Sequence, residues 1–361
     1  MRRGAGLLIL ALLFSPAAPV RAQDVACVRP VEAPPPVPRE LDVHRISRGE
    51  GVRVAVIDTG VAPHPDLGHV EPVADLVSPW APDPLFDCDG HGTVVAGVIR
   101  EVAPGAQILS IRQSSGHYRD AAGGTLDTLT QAIHAALDAG AQVINISVVS
   151  CLDPTVLLDA TPLHHALRRA EEDGVVIIAA AGNAGGQCQP GMVVHPAHEE
   201  TVLAVGAVHP EDPHALAGYV LPGGQVAAAG RVPVGLSPTG HGHAAGTVNA
   251  QGQEAAFEGT SFAAPVVSGV AALLRERHPF DTAADLRHRI VEAAEPGHGV
   301  VDTHKTVTHL AGDYAREGRA VGVGKHRAEP DDVPTRAGAL LLAALLAALL
   351  TAPARAGRPR A

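Results

Sequence analysis

The chain has 361 residues, 46% of them hydrophobic and 18% charged, a balance ordinary for a globular protein. Its formal charge of −11, with no basic stripe in the body of the chain, argues against a nucleic-acid partner. Aromatic residues make up only 2%, so the core has to be assembled from Ala, Val, Leu and Ile.

The first 22 residues read as a secretory signal peptide. Arg2 and Arg3 are followed by an apolar stretch from Leu7 to Phe14, and Val20 and Ala22 supply small residues ahead of Gln23. Residues 23–48 form a Pro-rich N-terminal extension that is expected to be irregular. Its segment Glu32-Ala33-Pro34-Pro35-Pro36-Val37-Pro38 suits neither a helix nor a central strand. From Gly49 onward, Val/Ile-rich runs at 52–57, 107–111, 142–148, 175–180 and 201–208 alternate with helical patterns. The helices are expected at 92–100, 126–139, 162–173, 261–277 and 283–293. Continuous apolar strands alternating with helices predict an α/β domain over 49–312, its mostly parallel sheet covered on both faces.

Residues 313–336 are polar, carry Gly and Pro, and read as a linker. The uncharged span 337–354 follows. As a helix it reaches roughly 27 Å, close to the ~30 Å of a bilayer core, and it has no polar face. Arg355, Arg358 and Arg360 then predict a cytoplasmic tail over 355–361. The expected layout is an exported domain on the extracytoplasmic side, tethered to the cell membrane by a single C-terminal transmembrane helix. Cys27, Cys88, Cys151 and Cys188 are an even set in an exported chain, which predicts two disulfides with three pairings open. With no CxxC pair, no zinc site is expected; His241-Gly242-His243 is a weak metal pattern at most.

Four positions carry the chemistry. Val54-Ala55-Val56-Ile57-Asp58 ends a buried strand on a carboxylate, and in open α/β sheets sites form at the carboxyl ends of strands. Gly90-His91-Gly92 sets a histidine at a helix start, between glycines that permit close approach of another segment. Ala180-Ala181-Gly182-Asn183 ends another strand on an amide donor. Gly259-Thr260-Ser261-Phe262-Ala263-Ala264-Pro265 puts a serine at the mouth of an apolar helix, where unpaired N–H groups favour developing negative charge. Each has a bland alternative: a turn aspartate, a surface histidine, a left-handed turn residue and an N-cap serine. Together they supply a nucleophile (Ser261), a base (His91), a group that orients the base (Asp58) and an oxyanion donor (Asn183).

The order Asp, His, Ser and the three segments Asp58-Thr59-Gly60, His91-Gly92-Thr93 and Gly259–Pro265 resemble the signature segments of the subtilases, the subtilisin-like serine proteases of peptidase family S8. The resemblance spans about 49–312 and implies a seven-stranded, mostly parallel sheet and a serine endopeptidase. It also implies a substrate-binding wall at Ser147, Val148 and Val149, faced by Ala180, Ala181 and Gly182. A narrower resemblance, to the membrane-anchored mycosins of type VII secretion systems, rests on several stretches. These are Asp87-Cys88-Asp89-Gly90-His91, Ala103-Pro104-Gly105-Ala106, Ile111-Arg112-Gln113-Ser114-Ser115, Asn145-Ile146-Ser147 leading to Cys151, and Leu236-Ser237-Pro238-Thr239-Gly240.

That resemblance implies protein or peptide substrates, association with a type VII secretion membrane complex, and an N-terminal extension that wraps the catalytic domain and stays attached. Cys27 would staple the extension, which favours Cys27–Cys88 and Cys151–Cys188. No cofactor is expected; the calcium that some subtilases hold through scattered loop oxygens leaves no sequence signature. Two functions fit: a membrane-anchored endopeptidase acting on exported proteins, or a structural subunit of the secretion complex in which proteolysis is dispensable.

Overall fold

The computed structural model describes residues 26–37, 40–118, 123–186 and 188–310. The signal, the linker, the apolar span 337–354 and the tail lie outside them. Among the described residues no helix is long and apolar enough to cross a membrane.

In chain order the strands are β1 (Arg29–Ala33), β2 (Arg53–Asp58), β3 (Val70–Asp75), β4 (Gln107–Arg112), β5 (Val143–Ile146), β6 (Ser150–Leu152), β7 (Val176–Ala180), β8 (Val193–His195), β9 (Val202–His209) and β10 (Asp212–Leu216). The remaining strands are β11 (Val226–Ala229), β12 (Arg231–Val232), β13 (Gly235–Leu236), β14 (His243–Val248) and β15 (Glu254–Glu258). The helices are α1 (His91–Val102), α2 (Leu126–Asp138), α3 (Thr161–Glu172), α4 (Thr260–Arg277), α5 (Ala283–Ala293) and α6 (Thr303–Thr308). The strands and helices expected from periodicity appear with ends within two residues of those read from the sequence.

The main sheet runs β11-β9-β7-β5-β2-β4-β3 with every pairing parallel, and β10 adds an antiparallel strand to the end of β9. Seven parallel strands are what the family resemblance implies. Val54, Ala55, Val56 and Ile57 have no exposed surface. Because side chains alternate, Val54 and Val56 pack with α1 and α4 on one face, while Ala55 and Ile57 pack with α2 and α3 on the other. This double burial makes the strands read as unbroken apolar runs.

Two of its parallel strands left no clear sequence signal. β3 carries Pro72 beside a register shift, which an outer strand tolerates because the missing N–H faces no partner. β11 is nearly all alanine, a residue with little strand preference.

A second sheet, β1-β14-β15-β12 with β13 also on β14, lies at the periphery. It corrects the expectation that residues 23–48 are irregular. Arg29–Ala33 pairs antiparallel with His243–Val248, with a register shift after Val31. The prolines did exclude a central strand, but β1 is an edge strand, where Pro30 loses no ladder bond that matters. Beyond it, residues 42–45 form one 3-10 turn, and His44 Nε2 binds the Val102 carbonyl at 3.0 Å.

Cys27 is bonded to Cys88, and Val28 N donates to the Cys88 carbonyl at 3.0 Å, so the extension is fastened three residues before His91. Cys151 is bonded to Cys188, tying together the segments that follow the adjacent strands β5 and β7. The pairing is the favoured one of the three.

Candidate active site

The carboxyl ends of β2, β5 and β7 and the amino ends of α1 and α4 converge on one cleft of about 410 Å³. Its lining includes Thr59, Asp89, His91, Ser147, Val148, Val149, Ala180, Gly182, Asn183, Thr260 and Ser261. Asp58 is the last residue of β2 and is fully buried behind His91. Its Oδ1 accepts from His91 Nδ1 at 2.7 Å and from the Thr59 N–H at 2.8 Å. That contact fixes the imidazole with Nδ1 protonated and leaves Nε2 as the basic nitrogen.

Gly92 makes the approach possible. A Cβ there would lie 2.1 Å from the Gly60 carbonyl oxygen and 3.2 Å from Asp58 Oδ1. The glycine after the histidine therefore permits the close contact expected from the sequence.

The amino end of α1 is held by a carboxylate to which the sequence alone assigns no role. Asp87 accepts from Thr59 Oγ1 (2.8 Å), Gly90 N (2.9 Å), Thr93 N (2.9 Å) and Thr93 Oγ1 (2.6 Å). Burial raises its pKa, while the bonds from Thr93 and Thr59 work in the other direction. His91 is also raised above its ordinary value. Burial, the largest single influence, works to lower it; the charge and hydrogen bond of Asp58, with the charges of Asp87 and Asp89, together outweigh burial.

Ser261 sits in the first turn of α4, where a helix leaves its N–H groups without intrahelical partners. Pro265, four residues on, has no N–H to give to the Ser261 carbonyl. Ser147 Oγ takes that place, donating to the Ser261 carbonyl at 2.8 Å. Ser147 is in turn held by Asn145 Nδ2 at 2.9 Å, and Asn145 Oδ1 accepts from Ser268 Oγ at 2.9 Å. This buried chain links the end of β5 to two turns of α4. Ser147, expected as a substrate contact, is here the residue that fixes the Ser261 carbonyl.

Asn183 is oriented by Thr260. Its Oδ1 accepts from Thr260 N at 3.0 Å and Thr260 Oγ1 at 3.1 Å, which leaves Nδ2 as the end free to donate. A Cβ built on Gly259 would lie 2.9 Å from Asn183 Nδ2 and 3.3 Å from Ser261 Oγ. The two groups therefore flank one small space, and glycine at 259 keeps it clear.

Val148, Val149, Ala180 and Gly182 line the cleft as expected. Ala181 does not. It is 1% exposed, and its N–H is bound to the Val205 carbonyl of β9 at 2.9 Å, so the sheet's ladder runs one residue past β7 and holds it. Thr59, Asp89 and Thr260 line the cleft and were not singled out beforehand. Their signal was adjacency: Thr59 follows Asp58, Asp89 precedes Gly90-His91, and Thr260 precedes Ser261. His64 caps the short helical turn at 65–67 through its Nδ1 and bonds the Gly242 carbonyl through Nε2 at 2.9 Å. Among the described residues no cluster of three or more His, Cys, Asp or Glu is placed to hold a metal.

The subtilase family model matches residues 49–324, running past the linker boundary read at 313. Mycosin-4 of Mycobacterium tuberculosis is 38% identical over 88% of this chain and 80% of its own length. The solved structure of MycP3 protease from the type VII (ESX-3) secretion system superposes with a TM-score of 0.70 at 33% identity, covering 79% of this chain and 93% of that one. A chain in the structure of an intact ESX-5 inner membrane complex gives 0.71 at 30% identity, covering 90% and 93%.

Proposed function

The chain belongs to the subtilase family, on its mycosin branch, and is a serine endopeptidase; from that premise we propose that it cleaves exported proteins with Asp58, His91 and Ser261 while anchored in a type VII secretion membrane complex. The observation that carries the catalytic part is the convergence of four groups on one cleft. His91 is held by Asp58 at 2.7 Å, Ser261 lies at the mouth of α4, and the Asn183 amide is turned toward the serine by Thr260.

In the proposed reaction Ser261 Oγ attacks the scissile carbonyl and His91 Nε2 accepts its proton. Asp58 holds the ring in the productive tautomer and stabilises the imidazolium that forms. The carbonyl electron pair moves onto oxygen, which accepts hydrogen bonds from Asn183 Nδ2 and the Ser261 N–H. His91 then returns the proton to the departing amine, leaving an acyl-enzyme. Water, deprotonated by His91, releases the acid and restores the serine. Ser147, Val148 and Val149 form one wall for the substrate backbone, with Ala180 and Gly182 opposite.

The anchoring part rests on the uncharged span 337–354, flanked by Arg336 and Arg355, and on the likeness to a chain found in an ESX-5 inner membrane complex. In that arrangement 1–22 is a removed signal, 23–48 stays attached, 49–312 is the catalytic domain outside the cytoplasmic membrane, 313–336 is a tether and 355–361 is cytoplasmic. The same likeness favours a second reading, in which the protein chiefly stabilises the complex.

A fluorophosphonate probe on the membrane fraction tests the first reading. The wild type is expected to label and Ser261→Ala to lose labelling altogether; an unlabelled wild type overturns catalysis. Secretion that persists with Ser261→Ala but fails on deletion of the whole chain selects the structural role.

A further inference from the structure

The parallel sheet buries an amide where its pattern calls for an apolar side chain. On the face that meets α4, Asn145 of β5 stands in register between Val56 of β2 and Ile178 of β7, and it has no exposed surface. Ser268, on α4, is equally enclosed. Burying a side-chain amide costs free energy unless its groups are bonded. Neither residue lines the cleft, and the proposed reaction uses neither.

The hydrogen bonds that join them run in one direction. Ser268 Oγ donates to Asn145 Oδ1 at 2.9 Å, which turns the amide so that Nδ2 meets Ser147 Oγ, also at 2.9 Å. A hydroxyl has one proton to give. Because Ser147 Oγ accepts from Nδ2, its own proton is left for the Ser261 carbonyl at 2.8 Å. The opposite orientation of the amide would draw that proton to Asn145 Oδ1 and orphan the Ser261 carbonyl, which Pro265 cannot serve. Ser268 Oγ also lies 3.1 Å from the Ala264 carbonyl, but the ladder of α4 already supplies that carbonyl with the Ser268 N–H.

We propose that Asn145 is a positioning residue: it sets the direction of the Ser147 hydroxyl and, through it, holds Ser261 in register with the wall at 147–149. This rests on the hydrolase reading above and extends its machinery to a residue outside the cleft. In that reading Ser261 supplies both the nucleophilic Oγ and, by its N–H, an oxyanion donor. A shift of its backbone therefore misplaces two groups at once. A misplacement of about 1 Å, caused by a change remote from the chemistry, costs about 10²-fold in rate.

The test measures kcat and KM on a peptide that the wild type cleaves. Asn145→Leu keeps a branched shape and removes both bonds; kcat is expected to fall about 10²-fold with little change in KM. Ser268→Ala should fall less, because the bond from Asn145 Nδ2 remains possible. Ser147→Ala supplies the deciding background. Asn145 acts through that hydroxyl, so adding Asn145→Leu to Ser147→Ala should cost kcat nothing further. Asn145→Asp separates polarity from packing: once ionised, the carboxylate can only accept, and it takes the Ser147 proton away from Ser261. This variant should be slower than the wild type at alkaline pH.

An undiminished kcat in Asn145→Leu overturns the proposal, as does an Asn145→Asp variant as fast as the wild type at alkaline pH. So does a full further loss in the Ser147→Ala background, which would make Asn145 a packing residue alone. If Asn145→Leu does not fold, Ser268→Ala with and without Ser147→Ala decides the matter by the same criterion. Fluorophosphonate labelling of the wild type separates the two levels. A wild type that labels, with kcat indifferent to Asn145 and Ser268, loses the positioning role and keeps the hydrolase; one that neither labels nor cleaves removes both.

Discussion

The two larger sheets of this molecule are built to opposite specifications. Strands β2, β5 and β7 of the parallel sheet are almost wholly enclosed, packed on both faces by helices. The sheet of β1, β14, β15, β12 and β13 is short and partly exposed, with β1 drawn from the N-terminal extension and secured by Cys27–Cys88. Proposed catalytic groups stand at the ends of the first kind of strand and on the helices that cover them. Close-packed interiors hold side chains in single rotamers, and a reaction that depends on a 2.7 Å contact needs that precision. The antiparallel sheet instead holds a segment of chain in place. Changes at the strand ends should therefore cost rate with little cost in stability, and changes at the extension the reverse.

The sharpest test of the first half is Asp58→Asn. The substitution keeps the shape of a buried side chain and the bond from the Thr59 N–H, so the fold should persist. The amide favours the wrong tautomer or orientation of His91 and gives the imidazolium no counter-charge. A loss of about 10⁴ in kcat is expected, with denaturation midpoints close to wild type. A loss below about tenfold, measured on a peptide substrate, would remove Asp58 from the proposed triad.

The same contrast explains what could be read from the sequence. Parallel strands buried on both faces display themselves as Val54–Ile57 or Val176–Ala180 do, and α1 to α5 announce themselves by period. Asp58, His91, Asn183 and Ser261 were legible because each sits at a strand end or helix start, where chemistry and punctuation coincide. The antiparallel sheet was not legible. β14 reads His243-Ala244-Ala245-Gly246-Thr247-Val248, with no run of large apolar residues, and β1 was hidden by its prolines.

Nor could the sequence display the partners that fix the site, because they are long-range. Ser147 meets the Ser261 carbonyl across 114 positions, and Thr260 meets Asn183 across 77. Ala181 was misplaced for a simpler reason: its N–H pairs with the Val205 carbonyl of β9, so the ladder continues one residue past the end of β7.

The second half of the contrast is tested at the disulfide. Cys27 and Cys88 close a loop of 61 residues, and losing such a cross-link costs about 2–4 kcal/mol. The double variant Cys27→Ser/Cys88→Ser should unfold at lower denaturant by that amount, while folded protein still labels at Ser261. An unchanged midpoint would mean that the pairing of β1 with β14 holds the extension unaided.

The smallest effect sits at the junction of the two regions, because His91 follows Cys88 by three residues and faces both Asp58 and Asp89. Its pKa is raised above the ordinary value of about 6.5, since the charge and hydrogen bond of Asp58 and the charges of Asp87 and Asp89 together exceed the opposing effect of burial. The proposed base accepts a proton only when neutral. Activity should therefore be lost as pH falls through a value above that of a free histidine and regained as pH rises through it, seen as the acid limb of kcat/KM against pH. Asp89→Asn removes one of the charges that raise His91, so its limb should move to lower pH. The shift should be smaller than a change at Asp58 would give, because Asp89 acts by charge alone and without a hydrogen bond to the ring. Profiles on a neutral peptide keep substrate charge out of the comparison. A wild-type limb at or below the ordinary histidine value, or an Asp89→Asn limb displaced upward, would contradict this account of His91.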